Sequence, residues 1–316
     1  MNRIWIISDM AETAYEMISK ALELKRDGGS IAAYLIGREE EGQKAVQYGA
    51  DHVKLMDLPA ETAWEQYGPV LAEEAKAVRP DLILIGASRR GKDLAAQLGA
   101  LLDVPCVTEC KSLEPAGDKI VLERIIYGGL AEKKLACVNS CVIATIASRT
   151  FNKSEQLARD NAGSITKLIL PQETKLKVIE RRPKPQETVN IGEANTVVGV
   201  GRGFAGKEEL GIAEELKEAL KGEIGCTRPI AEDLHWLPED RYIGISGQVV
   251  RPTLYLAAGV SGQVQHVYGI RDAKVIVAVD KNENAPIFQV ADYYLVGDLK
   301  EVLPAFTKAV KQVKGH

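Results

Sequence analysis

Leu254-Tyr255-Leu256-Ala257-Ala258-Gly259-Val260-Ser261-Gly262-Gln263-Val264-Gln265-His266 is the stretch that decides the fold. A short apolar run ends in a glycine, a serine and a second glycine, and a helical pattern follows. Strand, glycine turn and helix in that order open a βαβ unit. The glycines let a ligand approach the backbone, and the first helical turn offers unpaired N–H groups and a positive dipole. The order G-x-G-x-x-G is absent, so spacing alone is a weak nucleotide signal. Similar clusters flank the stretch: Ile243-Gly244-Ile245-Ser246-Gly247 before it, and after it a second buried strand ending at Asp280, then Asp298-Leu299.

Working outward, the second half begins with a strand at 196–200 and Gly201-Arg202-Gly203. Residues 207–221 carry Leu210, Ala213, Leu216 and Leu220 on one helical face, and Gly222 ends the helix. Ile224 starts a strand leading to Thr227-Arg228, residues 234–241 read as a polar loop, and 300–313 is a closing helix. The first half alternates strands (3–8, 31–36, 53–56, 82–85) with helices (11–26, 39–48, 62–78, 94–102). Both halves are α/β, each a doubly wound, mostly parallel sheet with helices on both faces. From 105 to 178 helix gives way to apolar or alternating runs at 119–126, 137–147 and 164–178, an antiparallel extension of the first sheet. Tyr127-Gly128-Gly129-Leu130 reads as a hairpin turn or bulge. Glu180-Arg181-Arg182-Pro183-Lys184-Pro185-Gln186-Glu187 reads as an extended linker, with domains at 1–185 and 186–316.

The 316 residues, 46% hydrophobic, suffice for two domains. A formal net charge of −4 gives no reason to expect nucleic acid or an anionic membrane as partner. No apolar run reaches the roughly 20 residues of a membrane span. The N-terminus runs straight into a strand pattern without a cleavage site, so a cytoplasmic protein is expected. Cys106, Cys110, Cys137, Cys141 and Cys226 are odd in number and read as free thiols. The two C-x-x-x-C pairs have no nearby histidine and read as core residues rather than metal ligands.

Ser261 to His266, followed by Ala285-Pro286-Ile287-Phe288 and Ala291-Asp292-Tyr293, resembles the FAD-binding C-terminal region of the alpha subunit of electron transfer flavoproteins. The resemblance continues upstream through Gly199-Val200-Gly201-Arg202-Gly203 and Gly225-Cys226-Thr227-Arg228-Pro229, in the same order. It implies a nucleotide α-hydrolase-like first domain, structural and partner-contacting, and a Rossmann-like FAD domain. It implies a heterodimer with a beta subunit. Such a pair carries electrons on FAD from an acyl-CoA dehydrogenase or NADH to a quinone oxidoreductase, ferredoxin or a reductase, and the chain alone catalyses nothing.

The resemblance also implies residue roles. Arg228 lies against the flavin ring, His266 near flavin O2, and the Ser246 hydroxyl on N5. Ile243, Gly244 and Ile245 lead to that serine, with Ile245 where the family often has glutamine. Ser261, Gly262, Gln263, Val264, Gln265 and His266 wrap the pyrophosphate and ribityl chain, which Arg202 and Thr227 also contact. Asp298 and Leu299 meet the adenosine. Asp280 stands where the family commonly has asparagine and is expected to accept a ribose hydroxyl. Charge or donors near N1 and O2 would raise the flavin potential, and Arg202, Arg228 and His266 are the candidates.

Two other readings compete. A nicotinamide oxidoreductase needs a glycine fingerprint after the first strand, and Ser8-Asp9-Met10-Ala11 has no glycine. An ATP- or AMP-sensing protein would use Gly86-Ala87-Ser88-Arg89-Arg90-Gly91-Lys92-Asp93, which reads instead as a βα turn that packs helix on sheet.

Overall fold

A computed structural model describes residues 1–57, 62–117, 119–138, 141–156, 163–170, 176, 178–182 and 190–314. The chain divides into two compact units, Met1–Pro183 and Lys184–His316. Residues 183–187 of the expected linker lie outside the described residues.

In the first unit the strands are β1 (Arg3–Ser8), β2 (Ser30–Ile36), β3 (His52–Met56), β4 (Leu82–Gly86), β5 (Cys106–Val107), β6 (Cys110–Ala116), β7 (Lys119–Ile126), β8 (Ala131–Cys137), β9 (Val142–Ile146) and β10 (Ser164–Leu168). The helices are α1 (Ala11–Leu24), α2 (Glu39–Tyr48), α3 (Tyr67–Val78) and α4 (Arg89–Leu102). Seven strands form one sheet in the order β10-β3-β2-β1-β4-β9-β5, every pairing parallel. Alternate residues of β1 serve opposite faces. Ile4 and Ile6 pack with Ala14 and Met17 of α1, and Trp5 and Ile7 pack with Leu71 of α3 and Leu94 of α4. A parallel strand covered on both faces has to be apolar throughout, which is why β1 and β4 read as unbroken hydrophobic runs.

Several boundaries differ from the sequence reading. The antiparallel strands β6, β7 and β8 form a three-stranded sheet of their own. It lays Leu113, Ile120 and Leu122 on the same core as α1 and α2. The run at 137–147 is two strands, because β8 ends at Cys137 and β9 joins the parallel sheet beside β4. β10 pairs parallel with β3 at the sheet edge; residues 171–175 and 177 of the expected run 164–178 lie outside the described residues. Tyr127–Gly129 is a single 3-10 turn closing the β7–β8 hairpin, with Tyr127 at φ 54 and Gly129 at φ 104. α4 starts at Arg89, five residues before its apolar stripe, because the Ser88 hydroxyl accepts the Gly91 N–H at 2.9 Å and caps it.

In the second unit the strands are β11 (Thr196–Val200), β12 (Glu223–Cys226), β13 (Leu254–Ala258), β14 (Val275–Asp280) and β15 (Tyr293–Val296). The helices are α5 (Leu210–Leu220), α6 (Val264–Ile270) and α7 (Leu299–Lys314). The sheet is parallel, in the order β12-β11-β13-β14-β15. From β11 the chain winds to one side and from β13 to the other. The crevice beyond the carboxyl ends of β11 and β13 is thus the switch point at which a doubly wound sheet binds ligands. Val198 and Val200 face α5 and α7, and Val197 and Tyr255 face the side of α6.

Candidate functional site

Three glycines bring the loops at this switch point together. Gly201 N–H donates to the Ala258 carbonyl at 3.1 Å, and Gly203 N–H to that of Gly259 at 2.9 Å. A Cβ on Gly203 would stand 2.4 Å from the Gly259 Cα, and one on Gly201 2.3 Å from the Gly259 oxygen. No side chain fits between these backbones. Gly262, at φ +84, is equally confined, since its Cβ would stand 2.2 Å from the Ile287 nitrogen. The β13–α6 loop can therefore turn back under an open space.

That space is a cavity of about 520 Å³. Arg202 and Gly203 after β11, and Thr227, Arg228 and Pro229 after β12, line it. So do Gly259 to Gln263 with Gln265 and His266 after β13, Asp280 and Lys281 after β14, and Tyr242, Ile245 and Ser246 from the preceding loop. Of the residues expected from sequence, Ile243, Gly244, Val264, Asp298 and Leu299 do not line it. Ile243 is buried, and its carbonyl accepts from His266. Gly244 N–H bonds the Gln248 carbonyl, and Val264 opens α6 half exposed. The Asp298 carboxylate accepts the Lys300 N–H at 2.8 Å at the start of α7, and Leu299 is buried in the core. Gly203, Pro229, Tyr242, Gly259, Val260 and Lys281 were missed. Tyr242 carries no motif signal, being a buried aromatic beside Ile243, and the other five sit in or beside the motifs from which residues were chosen.

The walls hold donors without acceptors. The Thr227 hydroxyl is buried with no hydrogen-bond partner among the described residues, although the Thr227 amide is tied to the Val200 carbonyl at 3.0 Å. No acceptor among the described residues takes the amides of 261–265. Arg202 and Lys281 make no hydrogen bond or ion pair among the described residues. Arg228 is bonded to Glu232 at 2.6 Å. Asp280 is the one carboxylate on the wall, and its Oδ1 accepts the Asn282 amide at 2.9 Å. The Ser246 hydroxyl lies 3.2 Å from that of Tyr242. Unsatisfied donors, three cations and a glycine cradle suit a ligand with a pyrophosphate.

His266 lines the cavity, where the sequence places it. It is buried, and desolvation lowers its pKa to about 4, so the imidazole is neutral at pH 7. The cations of the cavity wall are Arg202, Arg228 and Lys281.

Burial pushes the thiols of Cys110 and Cys226 up to about 12 and that of Cys141 to about 11. Among the described residues no cluster of histidine, cysteine or carboxylate could hold a metal ion, and no helix is long and apolar enough to cross a membrane.

The family description "Electron transfer flavoprotein domain" matches residues 8–173, and "Electron transfer flavoprotein FAD-binding domain" matches residues 190–271. The chain is 34% identical over 311 residues to Protein FixB of Escherichia coli O7:K1, covering 98% of each chain. It has the same identity and coverage with Protein FixB of Shigella flexneri. A solved structure, MurG of Acinetobacter baumannii, overlays 99% of this chain on 91% of its own at 10% identity and a TM-score of 0.35, too loose to argue from. The nucleotide-sensing alternative is not favoured, and with matches along nearly its whole length the chain belongs to the electron transfer flavoproteins, as an alpha subunit with an FAD-binding domain.

Proposed function

We propose that this chain holds FAD in the cavity at the β11/β13 switch point and carries electrons in complex with a beta subunit. The observation that supports this most is the unspent donor set: the Thr227 hydroxyl, the 261–265 amides and the Arg202 guanidinium. These would hold the pyrophosphate and ribityl chain. Arg228 and the Ser246 hydroxyl, positioned by Tyr242, would serve the ring. Asp280, Asp298 and Leu299 are assigned to the adenosine end. Bound FAD supplies reversible electron uptake, and the protein's share is binding, orientation and local charge.

The electron donor is a dehydrogenase of the acyl-CoA type or NADH, and the acceptor a quinone oxidoreductase, ferredoxin or a reductase. The free cysteines fit a reducing, cytoplasmic setting. The test is to co-purify the chain with its beta subunit and count FAD per heterodimer from the visible spectrum. One FAD supports a plain shuttle. Two support an NADH-linked or bifurcating complex with a second flavin in the partner. A colourless complex that takes up no FAD ends the proposal.

A further inference from the structure

One cation of the cavity wall is tethered from outside the wall. Arg228 follows β12 and lines the cavity, and Glu232, which does not line it, accepts the Arg228 Nε–H at 2.6 Å. The pair straddles a π turn, Pro229–Asp233, in which the Leu234 N–H reaches the Pro229 carbonyl at 2.9 Å. Such turns are rare and occur frequently at functional sites. This one is anchored. Ile230 and Ala231 are buried in the core with Val200, Tyr242 and Leu256, and the Ile230 N–H donates to the Thr227 carbonyl at 3.0 Å. With the backbone fixed, side chains four residues apart leave the turn side by side.

The pair does little for the fold. The Arg228 side chain is 63% exposed and that of Glu232 34%, and an ion pair so open to water is screened. What the pair does is orient. The bond is made through Nε, so the guanidinium is held by its inner edge. No group among the described residues takes its two Nη groups. A loose arginine loses rotamer freedom when it meets a ligand, and a tethered one has lost part of it beforehand. Glu232 also sets a negative charge against the guanidinium. Asp233 and Tyr242 are the other groups whose charge acts on Arg228, and neither is bonded to it.

We infer that Glu232 is a positioning residue: it holds Arg228 by Nε, leaves the Nη groups for bound flavin, and partly offsets the charge that the ring meets. The inference rests on the function proposed above.

The test uses the full chain with its beta subunit. FAD affinity is read from flavin fluorescence on dilution, and the flavin midpoint potential from equilibration with a reference dye. Glu232→Ala should weaken FAD by about 2- to 10-fold, the cost of ordering one long side chain on binding. Glu232→Gln keeps an oxygen that accepts the Nε–H, so its affinity should stay within about twofold of wild type. Its midpoint should rise, because an unopposed guanidinium favours the negative charge that the ring gains on reduction. In an Arg228→Ala background, Glu232→Ala should weaken FAD no further. Melting temperatures should stay within about 2 °C of wild type, since an exposed pair contributes so little. Equal losses in Glu232→Ala and Glu232→Gln would make charge rather than position the cause and overturn the inference. Unchanged or tighter FAD binding in Glu232→Ala overturns it too, as does a further loss in the Arg228→Ala background. An unmoved midpoint in Glu232→Gln removes the pair from the ring environment. Should Glu232→Ala not fold, the Glu232→Gln midpoint decides. A wild-type complex that takes up no FAD ends the functional proposal, whereas variants that bind FAD like wild type end only this one.

Discussion

The two units wind their parallel sheets outward from a central pair of strands, β1/β4 in one and β11/β13 in the other. The topology offers a ligand crevice in both places, and among the described residues the two spend their polar groups differently. At β1/β4, Ser88 caps α4 and donates to an Asp9 carboxylate oxygen at 2.9 Å. Ala87 N–H bonds the Ile146 carbonyl at 2.7 Å, and Lys92 is paired with Glu109 at 2.6 Å. A Cβ on Gly91 would stand 1.8 Å from the Gly86 oxygen, so that glycine serves close packing. The other Asp9 carboxylate oxygen is buried without a partner among the described residues, and a carboxylate there repels a phosphate. At β11/β13 the corresponding glycines surround an open cavity with an unpaired hydroxyl and three cations. A switch point becomes a site where its loops have not spent their donors on each other.

Exchanging matched residues breaks or sharpens this contrast. Gly262→Ala forces a Cβ onto the Ile287 backbone at positive φ and should abolish flavin retention, read as flavin absorbance per chain. Gly91→Ala should lower the melting temperature while the flavin ratio of the folded fraction stays the same. Arg202→Ala should weaken FAD by about 10- to 100-fold, the loss of a charged hydrogen bond of about 1.5–3 kcal/mol. Arg89→Ala should leave FAD affinity unchanged, and equal losses from both would erase the distinction between the units.

The third prediction concerns pH. His266 titrates at about 4 in the fold against 6.5 ordinarily. Below the ordinary value the unfolded chain binds a proton that the native chain does not, so stability falls as pH drops through that window. The loss approaches about 3 kcal/mol at the acid end, and urea midpoints of wild type and His266→Asn should differ in pH slope accordingly. The smallest effect pairs two hydroxyls. Ser88→Ala should cost about 1 kcal/mol of stability as a lost cap, with FAD binding intact. Thr227→Val should leave flavin-free stability equal or higher, because that hydroxyl is buried without a partner among the described residues, and should weaken FAD binding.

The strands were legible because parallel strands buried on both faces are apolar without a break. The cavity wall was legible where glycine, hydroxyl and arginine cluster after a strand, as at Arg202, Thr227 and Ser261. The start of α4 was not, because Arg89-Arg90-Gly91-Lys92-Asp93 has the composition of a loop and only the Ser88 cap makes it helical. The division of 137–147 between two sheets was hidden by a run of similar residues. Tyr242 and Tyr255 were invisible as site residues, since a tyrosine in an apolar run reads as core. The His266 ring is bonded to Ile243 and Tyr255, 23 and 11 residues away, and no local pattern contains such contacts.

Gly199 and Gly225 face one another across β11 and β12. Beneath the first lies the Tyr255 hydroxyl, and beneath the second the Ile243 side chain, 2.4 Å from where a Cβ would be. Both glycines occupy strand interiors, where the residue is ordinarily a weak choice. A saturation scan scored by bound flavin would therefore find two positions that tolerate almost nothing yet lie outside the cavity wall. A map of the binding site drawn from mutational sensitivity would extend one layer too deep, into the residues that shape Tyr255 and Ile243.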